Sequence, residues 1–600
     1  METINDLGEY TFPALLKNSV KKFGDRPALS LIGKPPYTYQ QIKDISENIA
    51  KMLKVLGLKE GSKIAILSTG RPLWGISYFG IVNYGMIAVP LLPDFSEMEI
   101  ASIVDHCEVS AIFVESKLYS KIEKIPAEKL PIIINIEELM VIRHPDESMT
   151  KKSVSAFVAE QTPAINATED SIASIIYTSG TTGRSKGVVL THRNLIWNAV
   201  QCQTVHRVNK LDKVLSFLPL SHVYEFSISF TMQLLNGACI YYLGKPPIVT
   251  ALIPAFSAVQ PTIVLSVPLV MEKIYKSKVL PTLTKNGFMK FLYAMHFTRK
   301  MLHKIAGKQL KKTFGGHLTF FGIGGAKVDP KVEKFMKDAK FPYAIGYGLT
   351  ETSPLLAGSG PKITIPGKIG PAMEGVDLRI NNPDPKTGVG EVVAKSRGVM
   401  KGYYKDEALT KEAFTTDEDS VGEGYFKTGD LGLFVKKHKM EYLELKGRNK
   451  NMILGASGEN IYPEDIEFIL NQHPLVSESL VVEDDNGLVA LVQIDEEKLE
   501  KEAVEIVNKQ GATNIIEAAK KLPGNVAEAV QKKVDSVKDA VAYEKEKLVN
   551  EIQFYVNSKV NKNSKVNKVQ KIDGFEKTAT QKIKRYLYDM RTKVTRGKKK

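Results

Sequence analysis

Short apolar runs alternate along most of the chain with longer segments whose apolar positions recur at helical spacing. KIAIL, at Lys63–Leu67, has the length of a strand and leads into GRPLWGISYFGIVNYGMIAVPL, an apolar segment rich in small residues. A helix-like stretch separates it from a second strand, SAIFVESK at 110–117, and PIIINI at 131–136 is a third. Strands interleaved with helical segments predict an α/β domain with a largely parallel sheet. The rhythm resumes after residue 170 in SIASIIYTSG, KVLSFLPL, ACIYYLG and PTIVLSVP, and again in HLTFFGIGGAK, so two related α/β lobes are expected.

Residues 270–313 break this rhythm with a long helical pattern of basic and apolar positions. Packing against the core and a place at a lipid-facing surface or acyl channel both remain open for it. From Gly388 onward, GEVVAKSRGVMKGYY and the segment ending LKGR alternate strands with glycine turns, a small β-rich section. The polar run 436–439 is the expected boundary, giving domains 1–436 and 437–600. The second begins with a helix, ENIYPEDIEFILNQHP, and a strand pair, SESLVVEDDNGLVALVQI, followed by a helical insertion over about 497–560. There Val530, Val534, Val537, Val541, Leu548, Ile552 and Val556 form one stripe, read as packing against a neighbour. The predicted class is α/β: a large N-terminal domain of two α/β lobes plus a small β-rich subdomain, then a mobile smaller α+β domain with a helical insertion.

Composition adjusts this picture in three ways. At 600 residues and 43% apolar content, the chain exceeds what one core fills. Its formal charge of +15, concentrated in KNSKVNKVQK and RTKVTRGKKK, suits nucleotides, phosphates or lipid headgroups; no aromatic-studded basic module or zinc-finger pattern points to nucleic acid. Cys107, Cys202 and Cys239 have no metal-site spacing and imply a reducing compartment. No basic-then-apolar leader opens the chain and no apolar run reaches about 18 residues. A cytoplasmic protein is expected, with peripheral contact at the inner face of the plasma membrane, through the basic helical segments or tail, and a homodimer both left open.

The densest candidate chemistry is YTSGTTGRSKGVVLTHRN, residues 177–194. It is not a Walker loop, because Lys186 is preceded by Ser185 and followed by Gly187 rather than framed as GK and Ser or Thr. Glycines 180, 183 and 187 still let successive amides face an anion. Thr178, Ser179, Thr181 and Thr182 add hydroxyl donors, and Arg184 and Lys186 add charge. On composition alone a flexible polar loop stays open beside a phosphate cradle.

The whole segment resembles the signature of the adenylate-forming (AMP-binding) superfamily, and most closely its bacterial long-chain fatty-acid CoA ligases. Further motifs follow in the family's order. The resemblance implies that Thr178, Ser179, Gly180, Thr181, Thr182, Gly183 and Lys186 close over the ATP β- and γ-phosphates. In LPLSHVYE it puts His222 near the acyl carboxylate and Glu225 as a structural neighbour. In FGIGGAKV it makes Gly324, Gly325 and Ala326 a bed for adenine. In YGLTET, Tyr347 and Gly348 flank adenine, Thr350 contacts the α-phosphate and Glu351 holds magnesium. Asp430 of TGD and Arg448 of LKGRNK take ribose or nucleotide contacts, Gly455 and Gly458 admit the pantetheine of coenzyme A, and Lys582 is the mobile catalytic lysine. The family's usual glycine before that lysine is Gln581 here, as in the long-chain branch.

The implied reaction is ATP- and Mg2+-dependent conversion of a fatty acid to acyl-AMP with release of pyrophosphate, then transfer to coenzyme A. Catalysis of this kind rests on alignment and charge neutralisation more than on covalent groups of the enzyme. The competing readings are an acyl-AMP ligase serving a carrier-protein thiol, a CoA ligase for a medium-chain or aromatic acid, and a lipid-binding scaffold. The complete motif set argues against the scaffold. Phe217, Phe226, Phe230 and Trp197 are candidate tunnel walls that their pattern equally assigns to the core.

Overall fold

Pro72, whose fixed φ suits a first helical position, starts the helix Pro72–Val82 soon after the strand Lys63–Leu67. All of that helix except Leu73 is buried, which explains its small residues: a Cβ on Gly75 would lie 2.4 Å from the Phe230 ring. The chain returns as Ile87–Leu91, parallel to the first strand from Lys63↔Ile87 to Leu67↔Leu91.

The computed structural model describes residues 4–179, 185–454, 460–484, 487–509, 527–578 and 583–588. It divides into two compact units, one of Met1–Thr428 with Gly432–Leu445, the other of Gly429–Leu431 with Lys446–Lys600.

Two eight-stranded mixed sheets build the first unit. One runs in the order Gly402–Tyr403, Ser185–Thr191, Ile172–Ser179, Ile87–Leu91, Lys63–Leu67, Ala111–Val114, Ile132–Asn135, Met140–Arg143, with parallel pairs at its centre and antiparallel pairs at both ends. The other runs Leu355–Ser359, Tyr343–Gly348, Phe320–Ile323, Ile263–Ser266, Lys213–Ser216, Cys239–Tyr242, Pro27–Leu31, Tyr37–Thr38, again parallel except at its ends. These are the two expected lobes.

A four-stranded sheet of Asp377–Asn381, Gly390–Lys395, Phe426–Lys437 and Met440–Arg448 forms the β-rich section. Residues 436–439 are the end of one of its strands and a tight turn in which His438 and Lys439 take φ of 47° and 66°. Residues 270–313 are not one long helix. Asn286 caps a new helix at Gly287–Ala294, and the extended Met295 separates it from His296–Thr313.

The second unit is α+β. Val476–Asp484 and Gly487–Ile494 pair antiparallel, and Lys568–Ile572 adds in parallel. Its core takes in Leu548, Ile552 and Val556 of the helix Ala527–Asn557, with Val541 partly buried beside them; the side chains of Val530, Val534 and Val537 lie outside the described residues. No helix among the described residues is long and apolar enough to cross a membrane. All three cysteines are free and buried, and burial pushes the Cys107 thiol up to about 11 and that of Cys202 to about 12.

Candidate active site

The described parts of the glycine- and hydroxyl-rich segment are two paired strands. Ile172–Ser179 and Ser185–Thr191 pair antiparallel with Tyr177↔Gly187, Thr178↔Lys186 and Ser179↔Ser185 in register. The pairing therefore holds Thr178 and Lys186 side by side, one pair away from residues 180–184. Gly180, Thr181, Thr182, Gly183 and Arg184 lie outside the described residues, as does the side chain of Ser179.

Tyr403, which the sequence motifs did not single out, joins this strand pair to the other lobe. The short strand Gly402–Tyr403 pairs with it through Gly402↔Val189 and Tyr403↔Val188. The Lys186 ammonium sits 5.1 Å from the Tyr403 ring centroid, within cation–π range. The Tyr403 hydroxyl donates to Glu351 Oε1 at 3.0 Å. Burial, with the Glu351 charge beside it, raises the pKa of that hydroxyl and keeps it a donor. One side chain thus connects Lys186 to the carboxylate expected to hold magnesium.

Glu351 lies on the turn Thr350–Thr352, directly after the strand Tyr343–Gly348. Three groups fix this turn. Asn198 Nδ2 donates to Leu355 O at 3.1 Å, Ser227 Oγ to Ser353 O at 2.9 Å, and Met400 N to Glu351 O at 2.8 Å. Gly348 is required for the bend, because a Cβ there would stand 1.7 Å from Pro354 O. On the adjacent parallel strand, Ile323↔Ile345 in register brings Gly324, Gly325 and Ala326 beside Tyr347 and Gly348 at the carboxyl edge of the sheet. Such an edge is where open α/β sheets bind ligands. Gly325 and Ala326 are exposed there, and Tyr347 is buried.

His222 is half-buried in a turn after the strand Lys213–Ser216, its amide donating to Pro219 O at 2.9 Å. Three residues on, Glu225 is fully buried and accepts from Ser216 Oγ at 2.5 Å; burial pushes its carboxyl up to about 8. Below the carboxyl edge lies a small apolar pocket whose lining includes His206, Tyr224, Phe320, Gly322 and Gly346. Phe226, Phe230 and Trp197 are core residues and do not line it.

In the second unit, Arg448 Nε lies 2.7 Å from Asp430 Oδ1, so the two candidate ribose contacts form one ion pair. Asp430 is buried and Arg448 exposed. Gly455, Gly458 and Lys582 lie outside the described residues.

Among the described residues no group of three or more His, Cys, Asp or Glu side chains could hold a metal. Glu351 alone, with one oxygen taken by Tyr403, fits a magnesium ion that draws its remaining ligands from phosphate and water.

The chain matches the family model described as AMP-binding enzyme over residues 16–404. It is 29% identical over 481 residues to long chain acyl-CoA synthetase 6, peroxisomal, of Arabidopsis thaliana, covering 74% of this chain and 66%, slightly under two thirds, of that protein. It is 29% identical over 473 residues to the long-chain-fatty-acid–CoA ligase FadD15 of Mycobacterium bovis, covering 74% of this chain and 75% of that one. Its fold is similar to the crystal structure of the anthranilate CoA ligase AuaEII in complex with anthranoyl-AMP, with a TM-score of 0.69, 19% identity and 97% of each chain covered.

Proposed function

The chain belongs to the AMP-binding enzyme family, and from that premise we propose that it activates a long-chain fatty acid with ATP to acyl-AMP and passes the acyl group to coenzyme A. The observation that carries this reading is the Lys186–Tyr403–Glu351 linkage. It gives a phosphate-binding cation and a magnesium-type carboxylate one shared brace, at an edge with glycines on one side and an apolar cavity beneath.

A substrate carboxylate oxygen attacks the α-phosphorus, the bond to the β-phosphate oxygen breaks, and pyrophosphate leaves. Thr178, Ser179, Gly180, Thr181, Thr182, Gly183 and Lys186 hold the departing phosphates. Thr350 orients the α-phosphate; Gly324, Gly325, Ala326, Tyr347 and Gly348 enclose adenine; Asp430 and Arg448 hold the ribose. Glu351 would hold a magnesium ion, which would supply positive charge against the phosphates. His222 stands near the acyl carboxylate, and Lys582 stabilises the charge that grows as the new bond forms. In the second step the coenzyme A thiolate, admitted past Gly455 and Gly458, attacks the acyl carbonyl, the bond from the carbonyl carbon to the bridging oxygen of the mixed anhydride breaks, and AMP leaves. Because the lysine and the thiol need the same carbonyl, the second unit turns between steps about the chain where the two units meet.

A CoA ligase for a medium-chain or aromatic acid is the second reading. It is favoured by the aromatic residues that line the pocket, and by the fold neighbour in complex with anthranoyl-AMP. A panel from acetate through benzoate and octanoate to palmitate, assayed for CoA-dependent AMP formation, decides between them. A maximum at palmitate supports the first reading and one at octanoate or benzoate the second. ADP as the product overturns both, and turnover only with a carrier-protein thiol removes coenzyme A from the scheme.

A further inference from the structure

The helices Gly287–Ala294 and His296–Thr313 carry an apolar surface that the proposed reaction leaves unused. The first, GFMKFLYA, contains no buried residue although five of its eight positions are large and apolar. Phe288 and Phe291 are 68% and 62% exposed. On the second helix Phe297, Met301 and Ile305, four apart, form one outward stripe at 83%, 51% and 58% exposure, while Leu302 and Leu310 face inward. Contiguous exposed apolar surface of this kind marks an interaction site.

Loose packing does not explain it. His303 is buried, with Nδ1 3.1 Å from Asp338 and Nε2 3.3 Å from the Tyr293 hydroxyl, which in turn lies 2.8 Å from that of Tyr275. This polar chain ties both helices to the lobe behind them and holds the stripe outward.

Charge identifies the occupant. Between Glu272 and Asp329 the sequence has no Asp or Glu and twelve Lys or Arg. Lys300, Lys304 and Lys308 are exposed on the same helix as the apolar stripe. Exposed aromatic side chains flanked by cations without a compensating anion match an element that lies in the interface of an anionic bilayer. An apolar protein partner would leave that charge unanswered.

We propose that these two helices dock the enzyme on an anionic lipid surface, with Phe288, Phe291 and Phe297 at the headgroup–acyl boundary and the lysines over lipid phosphates. The proposal holds whichever acid is activated.

The full chain is tested by flotation with phosphatidylcholine vesicles, with and without about one-third phosphatidylglycerol. The protein floats with the phosphatidylglycerol vesicles only, and loses them as salt rises from about 0.05 to about 0.5 M. The variant F288S/F291S/F297S partitions at least about tenfold more weakly, whereas F554S, at a Phe 78% exposed in the other unit, binds like wild type. Should the triple variant not fold, K300E/K304E/K308E replaces it and abolishes selectivity for phosphatidylglycerol. Absence of binding to either vesicle, equal binding to both, or an unchanged triple variant overturns the proposal. So does a wild-type dimer that the triple variant converts to monomer without any vesicle binding, which would make the face a contact between copies.

Discussion

Tyr403 touches both the strand pair that carries Lys186 and the Glu351 turn, through its ring on one side and its hydroxyl on the other. Tyr403→Phe keeps the ring and deletes only the bond to Glu351. Pyrophosphate release should fall about tenfold and half-saturation by Mg2+ should move to higher concentration, as when an outer-shell partner of a metal ligand is lost; unchanged Mg2+ dependence would detach the tyrosine from the metal. Lys582→Ala should lower acyl-AMP formation about a hundredfold or more yet leave thioester formation from supplied acyl-AMP intact. Buried Glu225 makes a different prediction. Its carboxyl is raised from 4.5 to about 8, so between those values the folded protein keeps a proton that the unfolded chain releases. The stability this provides is full below about pH 4.5 and is lost as pH rises through about 8. Glu225→Gln should flatten the fall in Tm across that window. Glu351, Asp430 and Arg448 can be singled out as candidates in the sequence because each stands in a short ordered motif. Tyr403 cannot: its role arises from pairing with Val188, a register between distant segments that no local pattern in KGYY announces.

At the scale of elements, the strands were legible where apolar runs were short and a helix start was marked, as at Lys63–Leu67 followed by Pro72. The helical stretch 270–313 was read as continuous because its periodicity survives interruption. Asn286 capping a new helix and the extended Met295 are single-residue events inside an otherwise helical pattern. The turn after Tyr343–Gly348 is the element least able to change. Gly348→Ala would press a methyl into Pro354 O and force the backbone apart, at a cost on the order of 2–3 kcal/mol. The expected result is a lower Tm together with loss of ATP binding by calorimetric titration. A variant that binds ATP like wild type would show that the bend can relax.

For the whole molecule, two units with separate hydrophobic clusters should unfold as two events. Ile552 is fully buried in the second unit. Ile552→Ala should destabilise that unit by about 2–5 kcal/mol, moving one calorimetric transition down and leaving the other in place, whereas a common shift would mean the units melt together. Their existence was readable from length and pattern. The meeting point was not, since residues 436–439 look like a solvated linker in composition and fold as a strand end and turn. The three cysteines, all inaccessible and with Cys107 and Cys202 poorly ionised, bear on how the molecule can be watched at work. Ellman's reagent added to samples withdrawn from an assay should colour only with the coenzyme A thiol not yet acylated, giving a point-by-point record of turnover, and a late burst of three further equivalents per chain would time the moment the protein itself comes apart.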